Sequence, residues 1–178
     1  MEELAFIKDG SVAAIGLALG LLNMASNYCP YDGCLAKNER QPYHNLSYGD
    51  VVYDRRKVGS ELYYRYDTNT AFGPFHQTIG FSITDSGGLW IGAGSIGKYP
   101  IDDNGWFVEL HSMPGLYLKG DEIDIGGTIE FRSGFAVGYE TDNGSKLAIT
   151  VDHRSNAEIY RENPGLETVQ LRLSIPVQ

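Results

Sequence analysis

Hydrophobic and polar residues alternate through most of the chain after about residue 45. Leu62, Tyr64 and Tyr66 oppose Glu61 and Arg65, and Phe75, Ile79, Phe81 and Ile83 oppose His76, Thr78, Ser82 and Thr84. Ile123, Ile125, Ile129, Phe131, Phe135, Val137 and Tyr139 share one parity, while Asp124, Thr128, Glu130, Arg132, Ala136 and Glu140 share the other with several glycines. A strand sends successive side chains to opposite faces. The pattern therefore predicts eight strands at about 45–54, 59–68, 75–84, 88–98, 105–118, 123–141, 145–155 and 166–177. Thr141-Asp142-Asn143-Gly144 is a tight hairpin signal, and the connection 156–166 is long and polar. One all-β domain, a sandwich or barrel, fits these segments and this length.

Two readings compete for which face is inside. A soluble barrel of lipocalin type would turn the aliphatic face inward. A membrane barrel inverts this, with an apolar belt outside and a polar, glycine-rich interior. Several strands exceed the usual length of about 5–6 residues and approach the 9–11 or so that a transmembrane strand needs. Glu109, His111, Glu130, Arg132, Asp152 and Arg172 on the polar face suit a narrow interior of paired charges, and the tyrosines with Trp90 and Trp106 could form aromatic girdles. These features favour an eight-stranded antiparallel transmembrane β-barrel over residues 45–178. The net charge of −9 argues against nucleic acid. It offers no attraction to an anionic lipid either, so lipid selectivity must come from local basic residues.

Residues 1–44 form an extension before the barrel. Ser11 to Ser26 is an apolar run of signal-peptide length, too short to span a bilayer comfortably. Met1 to Gly10 carries three acids and one lysine, a poor leader start, and Asn23 and Met24 spoil a small-x-small cleavage site. Both a cleaved leader and a retained segment, the latter a possible contact for a protein partner, remain open. Cys29 and Cys34 bracket Pro-Tyr-Asp-Gly and suit a small disulfide loop in an oxidising compartment. No second Cys or His pair lies at ligand spacing, so no metal site is expected.

The chemistry concentrates near the end. Leu147, Ile149, Val151, His153 and Ser155 share one parity, and Glu167, Val169, Leu171, Leu173, Ile175 and Val177 share one parity of the last segment. If these segments pair as a hairpin, His153, Ser155 and Glu167 converge near the loop on the apolar face. A serine, a histidine and a carboxylate supply a nucleophile, a base and a group that orients the base. Such a trio on the greasy face of a sheet points to chemistry on lipid.

The run His153-Arg154-Ser155-Asn156-Ala157, then Asn163-Pro164-Gly165 and a glutamate twelve residues after the serine, resembles the outer-membrane lipid A 3-O-deacylases, the PagL-like acyloxyacyl hydrolases. The resemblance extends upstream through Trp106 to Glu109, Met113 to Tyr117 and Ile129 to Gly134, and covers roughly residues 45–178. It implies an outer-membrane esterase acting on lipopolysaccharide, with no cofactor. Ser155 would be the nucleophile, His153 the general base and Glu167 its orienting acid. Oxyanion donors would come from the amides around Asn156, Ala157 and Glu158 and from the Asn163 side chain. The family often has glycine where Glu158 stands, so a negative charge sits beside the developing oxyanion. Arg154 and Arg161 could pair with lipid A phosphates or simply keep the loop soluble. The competing function is a non-enzymatic barrel that anchors a larger assembly through residues 1–44.

Overall fold

The computed structural model describes residues 11–178; the acidic start, Met1 to Gly10, lies outside the described residues. Among the described residues there are one helix, α1 (Ser11–Asn27), and nine strands: β1 (Lys37–Glu39), β2 (Tyr43–Tyr53), β3 (Arg56–Phe72), β4 (Phe75–Thr84), β5 (Leu89–Pro100), β6 (Trp106–Leu118), β7 (Ile129–Glu140), β8 (Lys146–Ser155) and β9 (Leu166–Pro176). β2 to β9 pair antiparallel with their neighbours in the chain. The circle closes where β2 pairs with β9, giving an eight-stranded barrel, and β1 merely extends the far end of β3.

The faces are sorted as a membrane requires. Leu46, Leu62, Ile79, Phe81, Ile91, Leu116, Leu147, Ile149, Leu171 and Leu173 all point outward and are exposed. A contiguous apolar surface of this extent is unfavourable in water and is the outer belt of a transmembrane barrel. Inside, Arg132 is held by Asp152 at 2.7 Å and by Glu61 at 2.9 Å, with its guanidinium carbon 3.8 Å from the centre of the Tyr63 ring. Arg65 bridges Asp67 and Glu109, both at 2.8 Å, and Arg172 reaches Glu109 at 2.7 Å. His111, expected as an interior residue, lies 3.3 Å from Asp152. Buried charges persist only when paired in this way.

Two sequence expectations need correction. Trp90 is not a girdle residue: it is 0% exposed and points into the barrel, edge-on to Tyr63 at 6.1 Å between centroids. β5 has its odd positions outward, so an even-numbered tryptophan turns in; Trp106, by contrast, is exposed beside Tyr139. The sixth predicted strand is also too long. Residues 119–128 form a loop, and Ile125 tucks into the barrel mouth with Val51, Trp90, Met113, Tyr117 and Leu166. Gly126, at φ +103°, turns the chain where strand continuation would have placed Ile125 in lipid.

The connections differ in length at the two ends. Turns 73–74, 101–105 and 141–145 close one end; loops 119–128 and 156–165 rise from the other, with the hairpin residues Asp54 and Arg55 (φ 45° and 64°) in the paired left-handed geometry of a tight two-residue turn. Short turns face the periplasm and longer loops the outside. The Ala- and Leu-rich sequence of α1 favours a helix, and the chain then turns through the disulfide-linked Cys29 and Cys34. No helix among the described residues is long and apolar enough to cross a membrane. Instead α1 leans on the outer wall: Val12 packs with Leu110, Val108, Phe135 and Val151.

Candidate active site

β8 and β9 pair so that His153 stands directly opposite Glu167. Both belong to the outward parity, yet His153 is only 2% and Glu167 8% exposed. The imidazole Nδ1 lies 3.4 Å from Glu167 Oε1, slightly longer than a hydrogen bond, and contacts of this kind commonly tighten only when substrate binds. Neither ring nitrogen of His153 has a hydrogen-bond partner among the described residues. Ser155 ends β8 at the next outward position, half-buried; with about 3.3 Å of rise per residue its Cα lies roughly 7 Å from that of His153, on the same face. The three residues therefore share the lipid-facing wall at the rim nearest the long loops.

Loop 156–165 shapes the rest. The Asn156 backbone N–H donates to Asn163 Oδ1 at 2.9 Å, which leaves the Asn163 amide nitrogen as the free end of that side chain. Asn156 itself is fully buried and donates from Nδ2 to Ile125 O at 3.0 Å and to Glu162 O at 2.6 Å. Ala157 and Glu158 take left-handed φ values of 51° and 62° and are exposed. Of the predicted oxyanion donors, then, the Asn156 amide is already committed, while the Ala157 and Glu158 amides and the Asn163 Nδ2 lie in the exposed turn. The Ile129 N–H donates to Tyr160 Oη at 3.3 Å, so loops 119–128 and 156–165 brace each other.

The two arginines separate. Arg161 is exposed on the loop. Arg154 is 1% exposed and faces the interior, 3.0 Å from Glu61, so it is not placed to meet a lipid phosphate. Its even parity, opposite to that of His153, dictates this. The mouth also carries shifted carboxyls: burial pushes Glu122 above the usual range although Tyr117 Oη donates to it at 2.6 Å. Asp124 is held below it by Lys119 and the Gly126 amide.

Sequence reasoning missed two features. Gly165, at φ +74°, backs the imidazole so closely that a Cβ there would lie 2.6 Å from His153 Cε1. Its place in Asn-Pro-Gly was the signal. The second is a line of polar residues on the outward face, each paired with the next: Gln77, Ser95, Ser112, Ser133, His153 and Glu167. Within single strands each looks like an isolated exception to alternation; only the register joins them.

A family model described as lipid A 3-O-deacylase (PagL) matches residues 58–176. The chain belongs to this family. Membership makes it an outer-membrane ester hydrolase acting on lipid A. The crystal structure of the outer membrane enzyme PagL superposes with a TM-score of 0.63 at 15% identity, covering 76% of this chain and 99% of that one. The barrel of Neisserial surface protein A gives a TM-score of 0.55 at 11% identity, covering 80% and 99% of the two chains. A de novo designed transmembrane β-barrel gives 0.53 at 14% identity, with 78% and 99% covered. At these identities the likeness of structure speaks for the fold. None of the curated proteins matches the sequence.

Proposed function

We propose that the chain removes the 3-O-linked acyl chain of lipid A by a Ser-His-Glu mechanism. Ser155 Oγ attacks the ester carbonyl carbon while its proton passes to His153 Nε2, and Glu167 holds Nδ1–H so that Nε2 is free to accept. The carbonyl oxygen becomes an oxyanion beside the Ala157 and Glu158 amides and Asn163 Nδ2; one such donor contributes about 3–4 kcal/mol of transition-state stabilisation. His153 returns the proton to the departing sugar oxygen. Water, deprotonated by the same imidazole, then releases the acyl group from Ser155 as a fatty acid. Arg161 offers its guanidinium to a lipid A phosphate from the loop.

The observation that carries this reading is the paired His153 and Glu167, nearly buried on a mostly apolar wall, with Ser155 as the next outward residue. A charge-capable pair on a lipid-facing surface is unfavourable unless something uses it. The test is to incubate the detergent-purified barrel with lipopolysaccharide and weigh the lipid A by mass spectrometry, beside Ser155→Ala and His153→Ala. Loss of one hydroxyacyl chain with the parent alone is expected. Undiminished turnover by a folded Ser155→Ala barrel would sink the mechanism.

A further inference from the structure

α1 touches the barrel at separated points. Val12, Gly16 and Gly20 recur every four residues on one face. A Cβ on Gly16 would lie 3.4 Å from Leu110 Cβ, and one on Gly20 would lie 2.4 Å from Phe75 Cε1. Small residues spaced in this way bring a helix close to its neighbour inside a membrane. Away from these contacts α1 exposes Ile15, Leu21 and Leu22, fit for lipid. Between helix and wall lies a groove of about 390 Å³, lined by Ala13, Gly16 and Leu17 on α1 and by Ser95, Leu110 and Ser112 on the barrel.

The groove lies on the same wall as the site, and the register joins a residue of its lining to His153. Ser112 pairs with Ser133, and Ser133 with His153, whose 2% exposed imidazole faces Glu167 next in the line. Val151, the next outward residue of β8 on the membrane side of His153, packs in one cluster with Val12 and Leu110. A lipid of the outer leaflet points its chains toward the bilayer centre. An acyl chain whose carbonyl lies at Ser155 must therefore run down the wall past Val151 and arrive at the start of α1.

Resting on the deacylase reading above, we infer that the groove between α1 and the β5–β6 wall sheathes the acyl chain being cleaved and sets the longest chain accepted. The pocket faces hydrocarbon, so a hydrocarbon chain is its natural filling, and its limited volume of about 390 Å³ is what makes it selective among lengths.

The experiment uses the full chain in detergent with an acyl ester carrying a diazirine near the end of a long chain. In Ser155→Ala, which retains the ester, photolabelling should map to residues 13–17 and 110–112. Ala13→Phe and Ser112→Phe, which fill the groove from opposite sides, should each reduce that labelling. In the active enzyme each should lower the rate on long-chain relative to short-chain esters roughly tenfold, the scale on which a pocket discriminates small changes in apolar bulk. Heat-modifiable gel mobility reports that each variant is a folded barrel. Labelling spread over Leu46, Leu171 and the outer face of α1, as bulk lipid would give, overturns the inference. So does an equal loss on both chain lengths, or an intact mass showing that residues 11–27 are absent from the mature barrel. Groove labelling without lipopolysaccharide cleavage by the parent would sink the lipid A reading and leave the acyl groove standing; cleavage without groove labelling would do the reverse.

Discussion

Gly165→Ala tests whether the imidazole is positioned by the backbone behind it. Alanine at φ +74° carries left-handed strain of about 1–2 kcal/mol. Its Cβ would start 2.6 Å from His153 Cε1, nearly an ångström inside ordinary carbon contact of about 3.5 Å. The ring cannot yield without moving relative to Glu167, already 3.4 Å from Nδ1. A misplacement of about 1 Å in a reacting group can lower turnover about 10²-fold. We therefore expect kcat on lipopolysaccharide to fall by about 10²-fold with KM little changed, in a barrel whose circular dichroism matches the parent. Gly144→Ala is the control, because φ is +81° at the β7–β8 turn but the nearest heavy atom is 3.6 Å away, far from the site. It should lose only the stability that left-handed strain costs, about 1–2 kcal/mol, and keep its rate. A Gly165→Ala enzyme with parental kcat, or a Gly144→Ala enzyme equally slowed, would refute the positioning argument.

Arg132→Ala leaves Glu61 and Asp152 facing each other inside the barrel without their shared cation; a loss of about 3–5 kcal/mol is expected, read by urea unfolding in lipid vesicles, and unchanged stability would contradict the ion-network account. Glu158→Gly relieves a left-handed φ of 62° for a net gain of up to about 1 kcal/mol after glycine's greater unfolded entropy, whereas Glu158→Gln removes only the charge; differential scanning should show a raised Tm for glycine alone. Arg161→Ala should raise KM for lipopolysaccharide but not for an unphosphorylated ester, and equal effects on both would remove phosphate from its role. Burial raises the Glu122 carboxyl, so the folded loop holds a proton that the unfolded chain releases above the ordinary carboxylate range. Loop stability therefore falls as pH climbs from that range through the raised value. Hydrogen exchange of residues 119–128 should quicken over that window, and Glu122→Gln should flatten the trend.

Much of the barrel was legible because its two faces are chemically distinct. Alternation along β3, β4 and β8 assigned Leu62, Ile79 and Ile149 outward and Glu61, Thr78 and Asp152 inward, as the structure has them. The same parity put His153 and Glu167 on one wall, and their cross-strand pairing followed from the hairpin. Where alternation ended, legibility ended too. Ile123 and Ile125 keep the strand period by chance but sit in a loop whose course Gly126 turns into the barrel mouth. Arg154 was read for its charge rather than its parity, and the parity was decisive. The donor pairing of Asn156 with Asn163 depends on loop geometry that no periodicity encodes.

The proposed mechanism must bring two incompatible reactants to one serine on the outside of a barrel. The acyl chain arrives from hydrocarbon, and the water that frees the acyl group arrives from the aqueous side. The wall separates them. On the membrane side of His153, Val151 and Val12 present an apolar surface that offers a water molecule few of the roughly three hydrogen bonds it needs to remain. On the loop side, Ala157 and Glu158 are exposed, and the turn they form borders Ser155. On the proposed mechanism, water reaches the ester from the rim and alkyl carbon from the groove. The rigid interior ion network serves this division by fixing the strands that carry both routes, which is why a charge cluster such as that around Arg132 bears on chemistry it never touches. If both proposals hold, the two halves of the site should vary independently: substitutions beneath α1 should change which chains are cleaved, and substitutions in loop 156–165 should change how fast.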